Sequence, residues 1–270
     1  MRAVVTNAPG TWSVTVRRLT PDPAPLFEHQ PDLPLRTASS AKVNVLYATA
    51  TAVAAGEAAL HEPVSRDTVE PVHDSGLWQH LTQDSLPLAD AAKLVGAYSD
   101  NWATNALITR LGGVGVANAG AALLGVHDVA LHDIVRDQRA PEHPSTLSTG
   151  SSSGYATVFA RLWERADQGE WAAQATLGWL RGGADLSMVA SVFGLDPLCH
   201  THPDRGVEVV TKTGTDHGVR ADSGLVIAGD TVIAYSALAN WEPDEQDTER
   251  DEVLAAMKRI GGRIRDIIAT

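Results

Sequence analysis

The chain has 270 residues, 44% of them hydrophobic and 20% charged, and a formal net charge of −12. This is the composition of an ordinary soluble globular protein, long enough for one large domain or two that share an interface. The negative charge argues against nucleic acid or an anionic membrane as partner, because both select basic surfaces. No segment is long and apolar enough to span a bilayer, and the single cysteine, Cys199, excludes an internal disulfide.

Trp12 to Arg17 alternates with period two and predicts a half-buried strand. The proline-rich stretch Pro21 to Pro25 predicts a turn, followed by a short second strand over Leu26–His29 and a connection over Pro31–Arg36. From Ser39 a helix is expected to run to about Leu60. It is apolar on nearly every side from Val43 onward, which is the pattern of a central, buried helix. Residues 61–76 read as irregular. Helices are predicted over Pro87–Tyr98, Trp102–Leu111 (closed by Gly112-Gly113) and Val116–Leu124. Leu131 to Gly154 has little periodicity, and a stretch this long inside a compact domain is either functional or a linker. Helices resume over 155–167, 171–180 and 184–193.

From Gly206 the pattern changes. Val207–Lys212 alternates, and Ser223–Ala228 and Thr231–Ala237 flank the hairpin signal Gly229-Asp230. A last helix carries Val253, Met257, Ile260, Ile264 and Ile267 on one face. With strands at both ends and helices between, the expected fold is α+β: an antiparallel sheet flanked by helices, plus an all-helical lobe. Residues 1–38 and 206–270 would form the α/β lobe and 39–205 the helical one, with a cleft where they meet.

Three short motifs carry the chemistry. Ser39 and Lys42 are three residues apart, which on a helix stacks them on one face. A serine hydroxyl is a weak nucleophile until a neighbouring base takes its proton, and a lysine can do so when burial or a nearby cation keeps it partly neutral. By itself Ser-x-x-Lys arises often by chance, and a capping serine beside a surface lysine would explain it. However, Ser99-Asp100-Asn101 follows, then Lys212-Thr213-Gly214, and two of the chain's four lysines fall within these motifs in that order.

Together with their flanks, Tyr98–Leu107 and Thr211–Thr215, the three motifs resemble the serine β-lactamase and penicillin-binding superfamily, class A in particular. The resemblance covers nearly the whole chain. It implies the two-lobed fold and an acyl-enzyme on Ser39, with Lys42 as base or proton relay. Ser99 would pass a proton to the leaving nitrogen. The N–H groups of Ser39 and Thr215 would receive the oxyanion. Asn101 would meet an acylamide carbonyl, Lys212 and Thr213 a substrate carboxylate, and Gly214 would let the strand approach the ligand. Arg220 is a candidate second carboxylate partner, with a surface role as the alternative. Asp100 is read as structural and Trp102 as bulk at the cleft edge. Residues 131–154 take the place of the family's Ω-type loop.

In one respect the sequence departs from the family. Class A enzymes hydrolyse the acyl-enzyme with a loop glutamate followed three residues on by asparagine, and no such pair stands in Asp133–Ser145. Asp137 and Glu142 are the candidate substitutes, and neither is the third option, so slow deacylation is an open expectation. His200-Thr201-His202-Pro203-Asp204 has metal-ligand spacing, but Arg205 stands where the next histidine belongs, so no metal and no cofactor are expected. The expected partner is a small molecule (β-lactam, peptide or ester), without nucleic acid or membrane, bound by a monomer. The first residues lack an apolar signal segment, which reads as cytoplasmic as written and as secreted or periplasmic if an export segment was removed. The expected activity is a β-lactamase-like serine hydrolase. The alternatives are a DD-peptidase-like, esterase or acyl-transfer enzyme of the same fold, or a sensor domain that stays acylated.

Overall fold

Residues 1–197, 205–244 and 247–269 are described in the structure, a computed structural model. A short helix α1 (Arg2–Thr6) leads into strand β1 (Thr11–Thr20), which turns back as β2 (Ala24–His29), and a brief strand β3 (Leu35–Arg36) follows. A 3-10 turn at Ala38–Ala41 then feeds helix α2 (Lys42–Ala54). The first nine residues of α2 are all buried, as its apolar circumference requires.

Residues 61–76, read as irregular, contain the short strand β4 (Pro63–Ser65), which pairs with β5 (Ser85–Pro87), and a 3-10 turn over Arg66–Thr68. Helix α3 (Leu88–Tyr98) and helix α4 (Asn101–Leu111) are separated by Ser99, whose backbone is left-handed at φ +53°, and by Asp100. Asp100 caps α4 by accepting the Ala103 N–H at 2.9 Å. Helix α5 (Val114–Leu123) completes this part.

The 131–154 stretch is pinned at its base. Strands β6 (Ala130–Leu131) and β7 (Ser148–Gly150) pair at its two ends, so it is a closed Ω-type loop and not a linker. The serine run read as the end of the loop opens helix α6 (Ser152–Asp167), with Ser151 Oγ accepting the Gly154 N–H at 2.9 Å. Helix α7 (Trp171–Arg181) follows.

The helix expected over 184–193 is corrected to a single 3-10 turn at Val189–Phe193. Asp185 Oδ1 accepts both the N–H of Ser187 (3.1 Å) and its hydroxyl (2.6 Å), a local bond that competes with the first helical turn.

Strands β8 (Glu208–Asp216), β9 (Val219–Ala228) and β10 (Thr231–Asn240) join the first two in one antiparallel sheet of order β2-β1-β10-β9-β8, and helix α8 (Glu249–Ile268) ends the chain. β10 shows why the sheet holds its register. Val232, Ala234 and Leu238 enter a core shared with α2, α3, α4, α6 and α7. Ile233, Tyr235, Ala237 and Ala239 enter a second core with Met257, Ile260 and Ile264 of α8. A slip of one residue would exchange the two sets. Each such Val, Leu or Ile contributes roughly 1.5–3 kcal/mol by burial. β8 lies at the sheet edge, so its outer side is left to face the segment that carries Ser39.

Candidate active site

A cleft of about 1020 Å³ is lined by Ala38 and Ser39, by residues 73–75, by the end of α3 with Ser99 and Asn101, by Val135–Asp137 of the Ω-type loop, by residues 183–185, and by Thr211–Thr213, Thr215 and Asp216 of β8. The three sequence motifs therefore border one cavity.

Ser39 sits in the 3-10 turn ahead of α2. The preceding residue, Ala38, is held at φ +46°, a left-handed conformation that costs a non-glycine residue roughly 1–3 kcal/mol and must be held by its surroundings. Those surroundings are visible. Ser148 Oγ donates to the Ala38 carbonyl at 2.6 Å, the Thr37 N–H donates to the Ser148 carbonyl at 3.2 Å, and Thr37 Oγ1 lies 2.8 Å from both Ser148 Oγ and the Tyr155 hydroxyl.

The opposite side is closed by Gly214. A Cβ there would stand 2.1 Å from the Thr37 carbonyl oxygen and 2.8 Å from Ser40 Oγ. The glycine thus admits close packing of β8 against the Ser39 turn. The groups a side chain would strike belong to the protein, whereas the sequence reading had assigned that space to a ligand.

Lys42, the first residue of α2, is fully buried. Its Nζ donates to the Ser99 carbonyl (2.6 Å), to Asn101 Oδ1 (2.7 Å) and to Ser99 Oγ (3.3 Å). Lys212 Nζ reaches the same hydroxyl at 3.0 Å and the Thr213 carbonyl at 2.8 Å. Two amines thus converge on Ser99 Oγ. The left-handed backbone at Ser99 is what allows both its carbonyl and its hydroxyl to meet Lys42.

Burial holds the Lys42 amine well below the usual lysine range, and the neighbouring Lys212 charge lowers it further, against the pull of Asp100 and Asp74. Burial pushes Lys212 down to about 8. The Ser39 hydroxyl makes no hydrogen bond among the described residues, and the direct pairing with Lys42 suggested by the spacing is replaced by bonds from Lys42 to Ser99 and Asn101.

Asp100 is structural, as read. Its carboxylate accepts the N–H groups of Leu77 and Trp78 (both 2.7 Å) and of Ala103. Gly76 lies so close to this carboxylate that a Cβ would be 2.3 Å from Oδ2, and the Asn101 N–H donates to the Ser75 carbonyl at 3.0 Å. Segment 73–78 is thereby fixed to the Ser99 turn, and it brings His73, Asp74 and Ser75 into the cleft. The sequence reading missed all three. The only signal was the turn composition of Asp74-Ser75-Gly76. It also missed Asp185, which lines the cleft and acts electrostatically on Lys212.

Residues 1–268 match the model of the beta-lactamase enzyme family. The chain belongs to that family. Its fold is similar to a beta-lactamase from Sphaerobacter thermophilus (25% identity, TM-score 0.76, covering 96% of this chain and 94% of that one). It is also similar to a class A beta-lactamase from Mycobacterium abscessus (16% identity, TM-score 0.75, 98% and 97% covered) and to PBP-A (21% identity, TM-score 0.74, 98% and 94% covered). No curated protein matches in sequence. The superfamily resemblance and the α+β fold expected from the sequence both hold.

Within this beta-lactamase-family site, the remaining candidates fall on both sides of the cleft wall. Thr213 and Thr215 line it from β8. Arg220 is not among the lining residues. It donates to the carbonyls of Asp216 (3.0 Å) and Val219 (2.8 Å) and lies 5.8 Å over the Trp241 ring. Trp102 is likewise off the cleft. Its indole N–H donates to the Arg66 carbonyl at 3.0 Å and the Arg66 guanidinium covers its ring at 4.9 Å, so it braces the 66–78 segment.

On the Ω-type loop, Asn105 holds both backbone groups of Val135 at 2.8 Å, and Asp133 pairs with Arg136 and Arg139. Glu142 is exposed and outside the lining. Asp137 lines the cleft, but His73 occupies its carboxylate. Among the described residues no group of three His, Cys, Asp or Glu side chains can hold a metal ion, and His200, His202 and Asp204 lie outside the described residues. Among the same residues no single helix is long and apolar enough to cross a membrane.

Proposed function

We propose that the protein is a serine hydrolase that forms an acyl-enzyme on Ser39 with a β-lactam or a related amide or ester. One observation carries this reading. Two fully buried amines, Lys42 and Lys212, converge on the Ser99 hydroxyl at 3.3 and 3.0 Å in the cleft that Ser39 lines. Buried lysines are costly. Burial keeps Lys42 well below the usual lysine range, which suits it to exchange a proton near neutral pH, while Lys212, held at about 8, remains a cation there.

In this mechanism the Ser39 Oγ attacks the carbonyl carbon and its proton passes to the Lys42–Ser99 network. Ser99 Oγ accepts from both amines, so its own O–H remains to be given to the leaving nitrogen or oxygen. The Ser39 and Thr215 N–H groups stabilise the oxyanion, and losing one such donor typically raises the barrier by about 2.7–4 kcal/mol. Lys212 and Thr213 meet a substrate carboxylate. Because Lys42 occupies Asn101 Oδ1, only the Asn101 amide N–H₂ is left for an acylamide carbonyl.

The test is to mix the protein with a chromogenic cephalosporin and to follow turnover together with intact mass. The expected result is an adduct of the mass of the β-lactam, absent in Ser39→Ala. Repeated turnover supports the hydrolase. A second reading, an acyl-trapping or DD-peptidase-like protein, is favoured by the loop carboxylates: Asp133 is paired with two arginines, Asp137 is bonded to His73, and Glu142 is off the cleft. A single adduct that persists for hours would decide for it.

A further inference from the structure

Hydrolysis of an acyl-serine needs a base within reach of a water molecule. Asp137 and His73, 64 residues apart in sequence, form a pair on the wall of the cleft that Ser39 also lines. The His73 N–H donates to Asp137 Oδ1 at 3.0 Å and Oδ2 at 3.3 Å, and the ring Nδ1 lies 3.0 Å from Oδ2. An ionised carboxylate only accepts, so Nδ1 presents its N–H to Asp137 and Nε2 is the ring nitrogen left to take a proton from water. The Asp137 carboxyl is held below the usual carboxylate range, first by the bond from the His73 ring and next by the His73 N–H. The ring is 6.2 Å from Trp102, and its side chain is 65% exposed, so water reaches it. The backbone behind it is tied to the Ser99 turn through Asp100 and the Ser75 carbonyl.

We propose that His73 is the general base for hydrolysis of the acyl-Ser39 intermediate and that Asp137 is its positioning residue. The proposal rests on the Ser39 reading above. In this step a water oxygen bonds to the acyl carbon while one of its protons moves to His73 Nε2. The C–Oγ bond then breaks, the Ser39 oxygen takes up a proton from the histidinium, and the carboxylic acid leaves. Asp137 stays ionised throughout, as the partner of the imidazolium that forms. The charged groups around His73 are Asp137 and Asp74 on the near side, Arg136 next to Asp137 on the loop, and Arg66 across the Trp102 ring. The histidine supplies what an unpaired loop carboxylate would otherwise supply, in a loop whose cleft-facing acid is already committed.

The experiment is rapid mixing with a fluorescent penicillin, which reads formation and breakdown of the adduct separately. His73→Gln is expected to acylate at the parent rate and to lose the adduct about 10²–10⁴-fold more slowly. Asp137→Asn is expected to slow breakdown less and to move its pH profile. Imidazole in the buffer is expected to restore breakdown to His73→Gly, which a purely structural histidine would not show. The proposal is overturned if the His73→Gln adduct breaks down at the parent rate, if formation and breakdown fall together, or if imidazole rescues nothing. A parent that forms no adduct at all overturns the Ser39 reading, whereas the other three outcomes leave that reading intact.

Discussion

Replacing Lys212 with methionine gives a stability signature that follows from burial alone. In the unfolded chain this amine titrates near 10.5, whereas in the folded protein burial pushes it down to about 8. Below pH 8 both states are protonated, and the folded state carries the full cost of a charged amine out of water. Between about pH 8 and 10.5 the unfolded state binds the extra proton, so folding stability rises with pH across that window. A gap of roughly 2.5 between the two values corresponds to about 3 kcal/mol.

Lys212→Met removes this titration. At pH 7 it also removes the buried charge, at the cost of leaving the Thr213 carbonyl without its Lys212 donor, about 1–3 kcal/mol, while Ser99 Oγ keeps the bond from Lys42. These effects oppose each other, so at pH 7 the variant should be within a few kcal/mol of the parent. The decisive quantity is the difference between the two proteins across pH. Urea unfolding at pH 7, 8, 9 and 10 should show the parent gaining about 2–3 kcal/mol on the variant. Curves that run parallel over this range would refute a Lys212 depressed by burial.

Two other perturbations test the architecture around Ser39. Gly214→Ala places a Cβ against the Thr37 carbonyl and Ser40, backbone that cannot yield, so it should cost about 1–3 kcal/mol of stability and slow acylation by tenfold or more, measured by urea melts and adduct formation. Asp222 is buried beneath the cleft with Thr211, Tyr235 and the Val189 N–H as donors, and burial pushes its carboxyl up to about 6. The folded state therefore holds its proton longer than the unfolded state. The associated stability, about 3 kcal/mol, is present below pH 4 and is lost as pH rises to about 6. Asp222→Asn should flatten that decline in melts between pH 4 and 7, and an unchanged slope would contradict the assignment.

Much of the fold was legible because burial and periodicity agree. Val232 to Ala239 alternates between two cores, and Val43 to Ala50 is buried all round, so each announces its element in the sequence. The helix expected over 184–193 failed because periodicity cannot see Asp185 bonding locally to Ser187. The motif residues Ser39, Lys42, Ser99 and Lys212 were named from three motifs and the family these resemble; Ser39, Ser99 and Lys212 line one cleft, and the buried Lys42 bonds to Ser99 at its wall.

What spacing could not show is where each polar atom is spent. Lys42 bonds to Ser99 and Asn101, and Arg220 to two carbonyls. Gly214 meets protein where a ligand was expected. His73 was invisible for a related reason. Its position depends on Asp100, whose carboxylate gathers Leu77 and Trp78 from 23 and 22 residues away, and on Asp137 across the cleft.

The central claim is that Ser39 is the nucleophile of this cleft. Incubation with penicillin followed by proteolysis and peptide mass mapping tests it most directly. The account predicts one covalent adduct, on the peptide that contains Ser39, and no adduct in a folded Ser39→Ala variant. An adduct on another residue, or an undiminished reaction of Ser39→Ala, would contradict it.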